Sequence, residues 1–296
     1  MLKIKFSRRT ENNLWGFLFL FPTYFLVVTL LIYPLINSFY LSLHEWSPFN
    51  SEYIGFRNYL EIFEEDWIFL ESYINSLIYA LVTIPLGLIW ALIISYLVQD
   101  IKFKSFWRSV LFLPTITSHV AIGMFWTLIL EADSGLFNSF LRIFGVEGAN
   151  WLGDSNFALY SICFIVVWAG TGVWMVVFLA ALLDIPQSYY EAATIDGANK
   201  LQIYFKITLP LLTPTIFYYI TNGLITVWLI FDLVYVMTEG GPGTSTMMPT
   251  LHIYNEGFQE LRMGYASALG WIMAIIILII TLLNFIIHKK WVHYDR

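Results

Sequence analysis

Residues 188–210 read SYYEAATIDGANKLQIYFKITLP, and the reading of this stretch decides how the rest of the chain is understood. Ser188 stands three residues before Glu191, the spacing of a capping box in which each side chain satisfies the other's orphan backbone donor. Gly197 suits the left-handed position that closes a helix. A second run, from Lys200 to Thr208, places Leu201, Tyr204, Phe205 and Thr208 on one face before Pro210 and Pro214 interrupt it. The pattern predicts a helix-turn-helix.

On both sides of it lie long uncharged stretches. Residues 14–36, 76–98, 110–130, 157–183, 216–237 and 269–287 are each long and apolar enough to cross a bilayer as a helix. The expected fold class is all-α, a polytopic membrane protein with six transmembrane helices. Tails at 1–13 and 288–296 and connections at 37–75, 99–109, 131–156, 184–215 and 238–268 complete the division. Composition agrees: 58% of the 296 residues are hydrophobic and 12% charged, against about 45–50% and about 25% in soluble domains. The first run is too long for the h-region of a signal peptide and lacks a small-residue cleavage site, so it reads as a retained span.

Basic residues orient the spans, because cytoplasmic loops carry the excess of Lys and Arg. With the N-terminus inside, twelve of the fifteen fall on the cytoplasmic side: Lys3, Lys5, Arg8, Arg9, Lys102, Lys104, Arg108, Lys200, Lys206, Lys289, Lys290 and Arg296. Only Arg57, Arg142 and Arg262 fall outside. Both termini are expected in the cytoplasm, which places the helix-turn-helix at the inner membrane surface.

Several chemistries lack their residues. The single cysteine, Cys163, supports neither a disulfide framework nor a cysteine metal site, and no metal ligand set is expected. A net charge of −6 is not that of a nucleic-acid binder. No P-loop, G-x-S-x-G or H-E-x-x-H occurs. Within the spans only Asp232 and His119 are ionisable, thin support for a self-powered pump.

Glu191-Ala192-Ala193, then Gly197, then Ile207, Leu209 and Pro210 occupy every signature position of an EAA loop. The chain resembles the membrane subunits of binding-protein-dependent ABC importers over about Leu14 to Trp291. Further matching segments are Arg108 to Pro114, Leu179 to Leu182 with Ile185-Pro186, Phe231 to Pro242, and Gly264 to Ala268. The set is similar to the carbohydrate-uptake branch, in its maltose-type and glycerol-phosphate-type first permease.

That resemblance implies a type I importer fold in a prokaryotic inner membrane, and a non-catalytic role. Glu191 would face an arginine of the cytoplasmic ATPase, Ala192 and Ala193 would permit close approach, Gly197 would make the turn, and Asp196, Ile207 and Pro210 would complete the coupling segment. The implied partners are a second related permease, two ATPase subunits forming a homodimer, and an extracellular or periplasmic solute-binding protein delivering a sugar. ATP and magnesium would be bound by the ATPase, with no cofactor in this chain.

Substrate-path candidates are the polar and small residues in mid-span. Trp168, Thr171 and Trp174 lie in the fourth run around Gly170 and Gly172, two points of flexibility; Asn222 and Thr226 lie in the fifth with Asp232, about one and a half turns inside its outer end. Asp232 is expected to have a structural partner there, and His119 to be a packing residue. Gly240, Gly241 and Pro242 are expected to form a tight turn near the docking surface for the binding protein. Two other readings compete: a stand-alone secondary carrier or channel, and a polytopic membrane enzyme. The patterned loop and the absence of catalytic constellations weigh against both.

Overall fold

A computed structural model describes residues 8–47, 50–99 and 101–292; Lys3, Lys5 and Arg296 of the orienting set, and the ends of both tails, lie outside them. The chain is mostly helical and divides into two compact units, one built from the residues up to Glu64 with Asn255–Trp271, the other from Glu65–Tyr254 with the residues from Ile272 on.

In the first unit, α1 (Arg8–Val27) widens through Val28–Ile32 into α2 (Tyr33–Ser42). Pro34 brings no N–H to the helical ladder, and the widening falls just before it. An unforeseen antiparallel hairpin follows, β1 (His44–Ser47) paired with β2 (Asn50–Tyr53), so the described chain is not all-α. Buried Asn58 of α3 (Arg57–Glu64) holds the hairpin by donating to the carbonyls of Ser42 (2.8 Å) and His44 (3.0 Å). Arg262 pairs with Glu61 and, at 3.2 Å, with Glu256, and lies over the Tyr265 ring.

The second unit is built on α4 (Trp67–Gln99), followed by α5 (Lys104–Ile116), α6 (His119–Ile129), α7 (Leu136–Ile143) and α8 (Ala158–Asp184). Then come α9 (Gln187–Ile195), α10 (Lys200–Ile203), α11 (Leu209–Leu211), α12 (Thr213–Thr226), α13 (Asp232–Met237) and α14 (Pro249–Tyr254). The last helix, α15 (Met263–Ile287), starts in the first unit and ends in the second. Apart from Glu71 near the start of α4 and Asp184 at the end of α8, these two helices carry no charged residue and show no polar face. Their buried faces, with Tyr79, Ile162, Cys163 and Ile165, meet Trp228, Val234, Met248 and Leu251 in the main core. A second core joins Leu92, Phe178, Leu182, Leu212 and Tyr219. His252 and Asp66 form a buried pair at 2.7 Å.

Four helical segments are long and apolar enough to cross a membrane: Trp15–Ser42, Trp67–Gln99, Ala158–Asp184 and Met263–Lys290. The two remaining apolar runs are not single helices. The run at 110–130 is broken between α5 and α6, which diverge by 98°. The run at 216–237 is broken after Leu229, and Lys200–Leu211 meets Thr213–Leu229 at 61°. Counting each bent pair as one crossing gives up to six.

Helices α5 and α8 cross at Gly172. A Cβ there would stand 2.6 Å from the carbonyl oxygen of Leu111 and 2.7 Å from the Cα of Phe112. Gly172 is therefore a packing glycine that lets two backbones touch, rather than a point of flexibility. Thr115 adds a hydroxyl bond of 3.3 Å to the carbonyl of Ala169 at the same crossing.

Candidate functional site: a polar cleft and a capped loop

The breaks between α5 and α6 and between α12 and α13 open onto one cleft. After α5, Thr117 and Ser118 are extended (ψ 139° and 135°), so His119 begins α6 at the cleft wall. After a tight turn at Val227–Leu229, Ile230 is extended and Asp232 begins α13. The freed carbonyl of Ile230 accepts a 2.6 Å bond from the Thr250 hydroxyl, which satisfies the group that the break exposes.

The cleft has a volume of about 540 Å³ and is lined by Tyr79 of α4, Pro114 and Thr115 of α5, His119 of α6, Val166, Gly170 and Trp174 of α8, Asn222 and Thr226 of α12, and Leu229 to Leu233. A narrower pocket of about 110 Å³ adjoins it; Tyr79, Gly170, Trp174, Asn222 and Thr226 line both, and Thr83, Thr171 and Tyr219 line the pocket but not the cleft. The structure thus brings Trp174, Asn222, Thr226 and Asp232 together, with Thr171 next door. Trp168 lies elsewhere: it packs edge-on against Trp126 and lines an apolar cavity with Trp90, Leu113 and Phe125.

The polar groups differ in what they have to spare. The Thr171 hydroxyl is spent on the Val167 carbonyl (2.8 Å) and that of Thr226 on the Asn222 carbonyl (3.0 Å). The Asn222 amide makes no side-chain hydrogen bond to a described residue, so both its donor and its acceptor are free for a ligand. Trp174 is held edge-on by Tyr219 at 4.6 Å, which fixes its ring at the junction of cleft and pocket.

Asp232 is not inside a continuous span: it heads a helix behind a break and is more than half exposed to the cleft. His119 is not a packing residue either, being 63% exposed, with Nδ1 3.7 Å from Oδ2 of Asp232. So exposed a pair contributes at most about 1 kcal/mol. The carboxylate is therefore available to whatever enters.

The capped loop is the second feature. Helix α9 starts directly after Pro186, with no side-chain cap, so Ser188 lies inside the first turn and the Ser188–Glu191 capping box does not form. A capping box exists instead at the start of α10: Asn199 accepts from the Gln202 backbone amide (2.9 Å) while Gln202 accepts from the Asn199 backbone amide (2.8 Å). Gly197 closes α9 at φ +79°, with Ala198 N–H donating to the Ala193 carbonyl. Glu191, Ala192 and Asp196 are exposed, Ala193 is buried, and Ile207 and Pro210 are half-buried. Glu191 has no partner among the described residues. The loop is tied back through the Tyr190 and Thr208 hydroxyls (3.4 Å) and through Tyr204 packed edge-on to Tyr96. Burial and the neighbouring Tyr96 push the Tyr204 phenol above its ordinary pKa.

This cap assignment has a direct test. Asn199→Ala should cost about 1 kcal/mol and weaken amide protection over residues 200–203, read by hydrogen exchange, whereas Ser188→Ala should leave protection unchanged.

Gly240 to Gly243 form the expected turn. Gly240 (φ +89°) is buried against Met247 and Leu251, so its part is to shape the turn; Gly241 and Pro242 are half-buried. The Thr246 hydroxyl holds the turn by donating to the Gly241 carbonyl (2.8 Å).

Apolar helices, a polar cleft at two helix breaks, and a capped loop with a carboxylate unpaired among the described residues are the features of a membrane subunit with a polar path. The family model described as "binding-protein-dependent transport system inner membrane component" matches residues 68–293, and the chain belongs to that family. It is therefore a non-catalytic inner-membrane subunit of an ABC importer.

Among its relatives, the probable ABC transporter permease protein YesP of Bacillus subtilis is 34% identical over 291 residues, covering 96% of this chain and 94% of that protein. The sulfoquinovosyl glycerol transport system permease protein SmoG of Agrobacterium fabrum is 34% identical and covers 88% and 86%. The trehalose/maltose transport system permease protein MalF of Thermococcus litoralis is 32% identical and covers 90% and 91%. A crystal structure of a bacterial ABC transporter involved in the import of the acidic polysaccharide alginate shares the fold, with a TM-score of 0.85 at 22% identity over 96% of this chain and 98% of that one.

Sequence reasoning found Trp174, Asn222, Thr226 and Asp232 but passed over Tyr79 and Thr115 of the cleft and Tyr219 of the adjoining pocket. Their signal was weak, since a lone Tyr or Thr in an apolar run reads as an interface anchor or a packing group.

Proposed function

We propose that this permease forms one half of a translocation path for a sugar or oligosaccharide, paired with a second, related permease. The chain crosses the membrane six times within the divisions given above, with both termini in the cytoplasm. Two ATPase subunits holding ATP and magnesium dock on the α9 loop, Glu191 meeting a cation of the ATPase and Ala192, Ala193, Asp196, Gly197, Ile207 and Pro210 shaping the contact. A solute-binding protein on the opposite face docks near the Gly240-Gly241-Pro242 turn and delivers solute to the cleft of Trp174, Asn222, Thr226 and Asp232. The observation that carries this reading is the exposed Glu191, without a partner among the described residues, on a helix capped at its closing turn. Relatives named for sugar transport, trehalose and maltose among them, support the substrate class. Exposed apolar side chains along α1 and α2, such as Phe19 and Leu35, support burial against lipid or the second permease.

Native mass spectrometry of the tagged chain, co-expressed with its neighbouring reading frames, tests the assembly. The expected species holds one copy of this chain, one second permease and two ATPases. A stable complex that lacks ATPase would refute the reading.

A further inference from the structure

We infer that the cleft admits uncharged or cationic saccharides and turns away anionic ones, with Asp232 as the specificity-determining residue. The inference rests on the cleft being the solute path, as proposed above. Asp232 is the one carboxylate among the lining residues, and no Lys or Arg is among them. The group able to offset it is His119, which stands beyond hydrogen-bond distance at 3.7 Å and more than half exposed. The Asp232 carboxylate therefore has no hydrogen-bonded cation among the lining residues. The remaining polar groups, Asn222, Thr115 and Thr226, are uncharged and suit hydroxyls, while the fixed Trp174 ring offers an apolar edge for a sugar. An anionic solute would lose its hydration here with no cation from this chain to replace it, and would face a carboxylate across a space of about 540 Å³. Charge selection of this kind acts mainly by rejection, which needs only one well-placed like charge.

The chain's single cysteine, Cys163, is buried, so a thiol introduced at the cleft reports the local potential. Thr226→Cys, assembled with its partners in lipid nanodiscs, would be treated with methanethiosulfonate reagents of opposite charge, one bearing trimethylammonium and the other sulfonate, with and without ATP. The unsubstituted complex sets the background. The cationic reagent should react about tenfold or more faster than the anionic one, relative to the ratio for a free thiol. Asp232→Asn should bring that ratio to within about threefold of the free thiol. Equal normalised rates with Asp232 present would overturn the inference and leave the path reading intact. If neither reagent reacts in either nucleotide state, the path reading falls as well. Asn222→Cys repeats the measurement from a second wall position if Thr226→Cys does not assemble.

Discussion

Glu191→Lys is expected to abolish ATP-driven uptake in reconstituted vesicles while leaving the amount of inserted protein unchanged. Glu191 is exposed and has no hydrogen bond or ion pair to any described residue, so the fold does not depend on it. Its helix is stopped by Gly197 and followed at once by the Asn199–Gln202 box, which holds the side chain's position without help from the ATPase. Reversing a charge in a dry contact costs about 2–5 kcal/mol, at least roughly 30-fold in coupling. Gly197→Val separates position from contact. Nothing lies within 4 Å of a Cβ at Gly197, so the penalty is the left-handed backbone alone. Gly197→Asn, which tolerates that conformation, should retain most uptake, whereas Gly197→Val should behave like Glu191→Lys. ATP hydrolysis and uptake measured side by side check both, and wild-type uptake by Glu191→Lys would refute the coupling role.

The second large effect concerns stability. Gly172→Leu should lower the apparent Tm of the purified complex by about 6–12 °C, the equivalent of about 3 kcal/mol of overpacking. The side chain would enter a crossing where a Cβ alone already stands 2.6 Å from a carbonyl oxygen, and backbone cannot yield as a flexible side chain does. Gly170, two residues earlier, supplies the contrast, because a Cβ there meets only Trp174 Cδ1 at 3.8 Å and faces the cleft. Gly170→Leu should therefore keep its Tm and lose uptake. Thermal unfolding and uptake on the same preparations separate the two glycines, and a Gly172→Leu protein as stable as the parent would contradict the close crossing.

These two glycines show where sequence reading stops. Hydropathy located α4 and α8 because every turn of both is apolar, and it is blind to direction: the run at 110–130 remains apolar through a bend of 98°. No glycine marks the breaks. Extended Thr117 and Ser118, and extended Ile230, make them in otherwise helical sequence, and Pro114 lies inside α5 rather than at its end. Asp232 and His119 were therefore read as span residues when each is the first residue of a helix behind a break.

The EAA loop was more legible, because Gly197 has one conformational use and the spacing to Pro210 is specific. Its first cap was misread because Pro186 sets the helix start, which carries Ser188 past the capping position. Of the cleft and its adjoining pocket, the mid-span amide Asn222 stood out as polar in apolar surroundings. Tyr79 and Tyr219 did not, since aromatic residues fill this chain, with 18 Tyr and 25 Phe. The paired strands His44–Ser47 and Asn50–Tyr53 left little trace, being four residues each.

The most direct measurement is uptake of labelled oligosaccharide into proteoliposomes built from purified components, omitting one component at a time. The ligand is chosen as the one the cognate binding protein retains. Uptake is expected only when this chain, the second permease, the ATPase, ATP and the binding protein are all present, and loss of any one should reduce it to background. Solute movement by this chain alone, without ATPase or binding protein, would contradict the account and point to a stand-alone carrier.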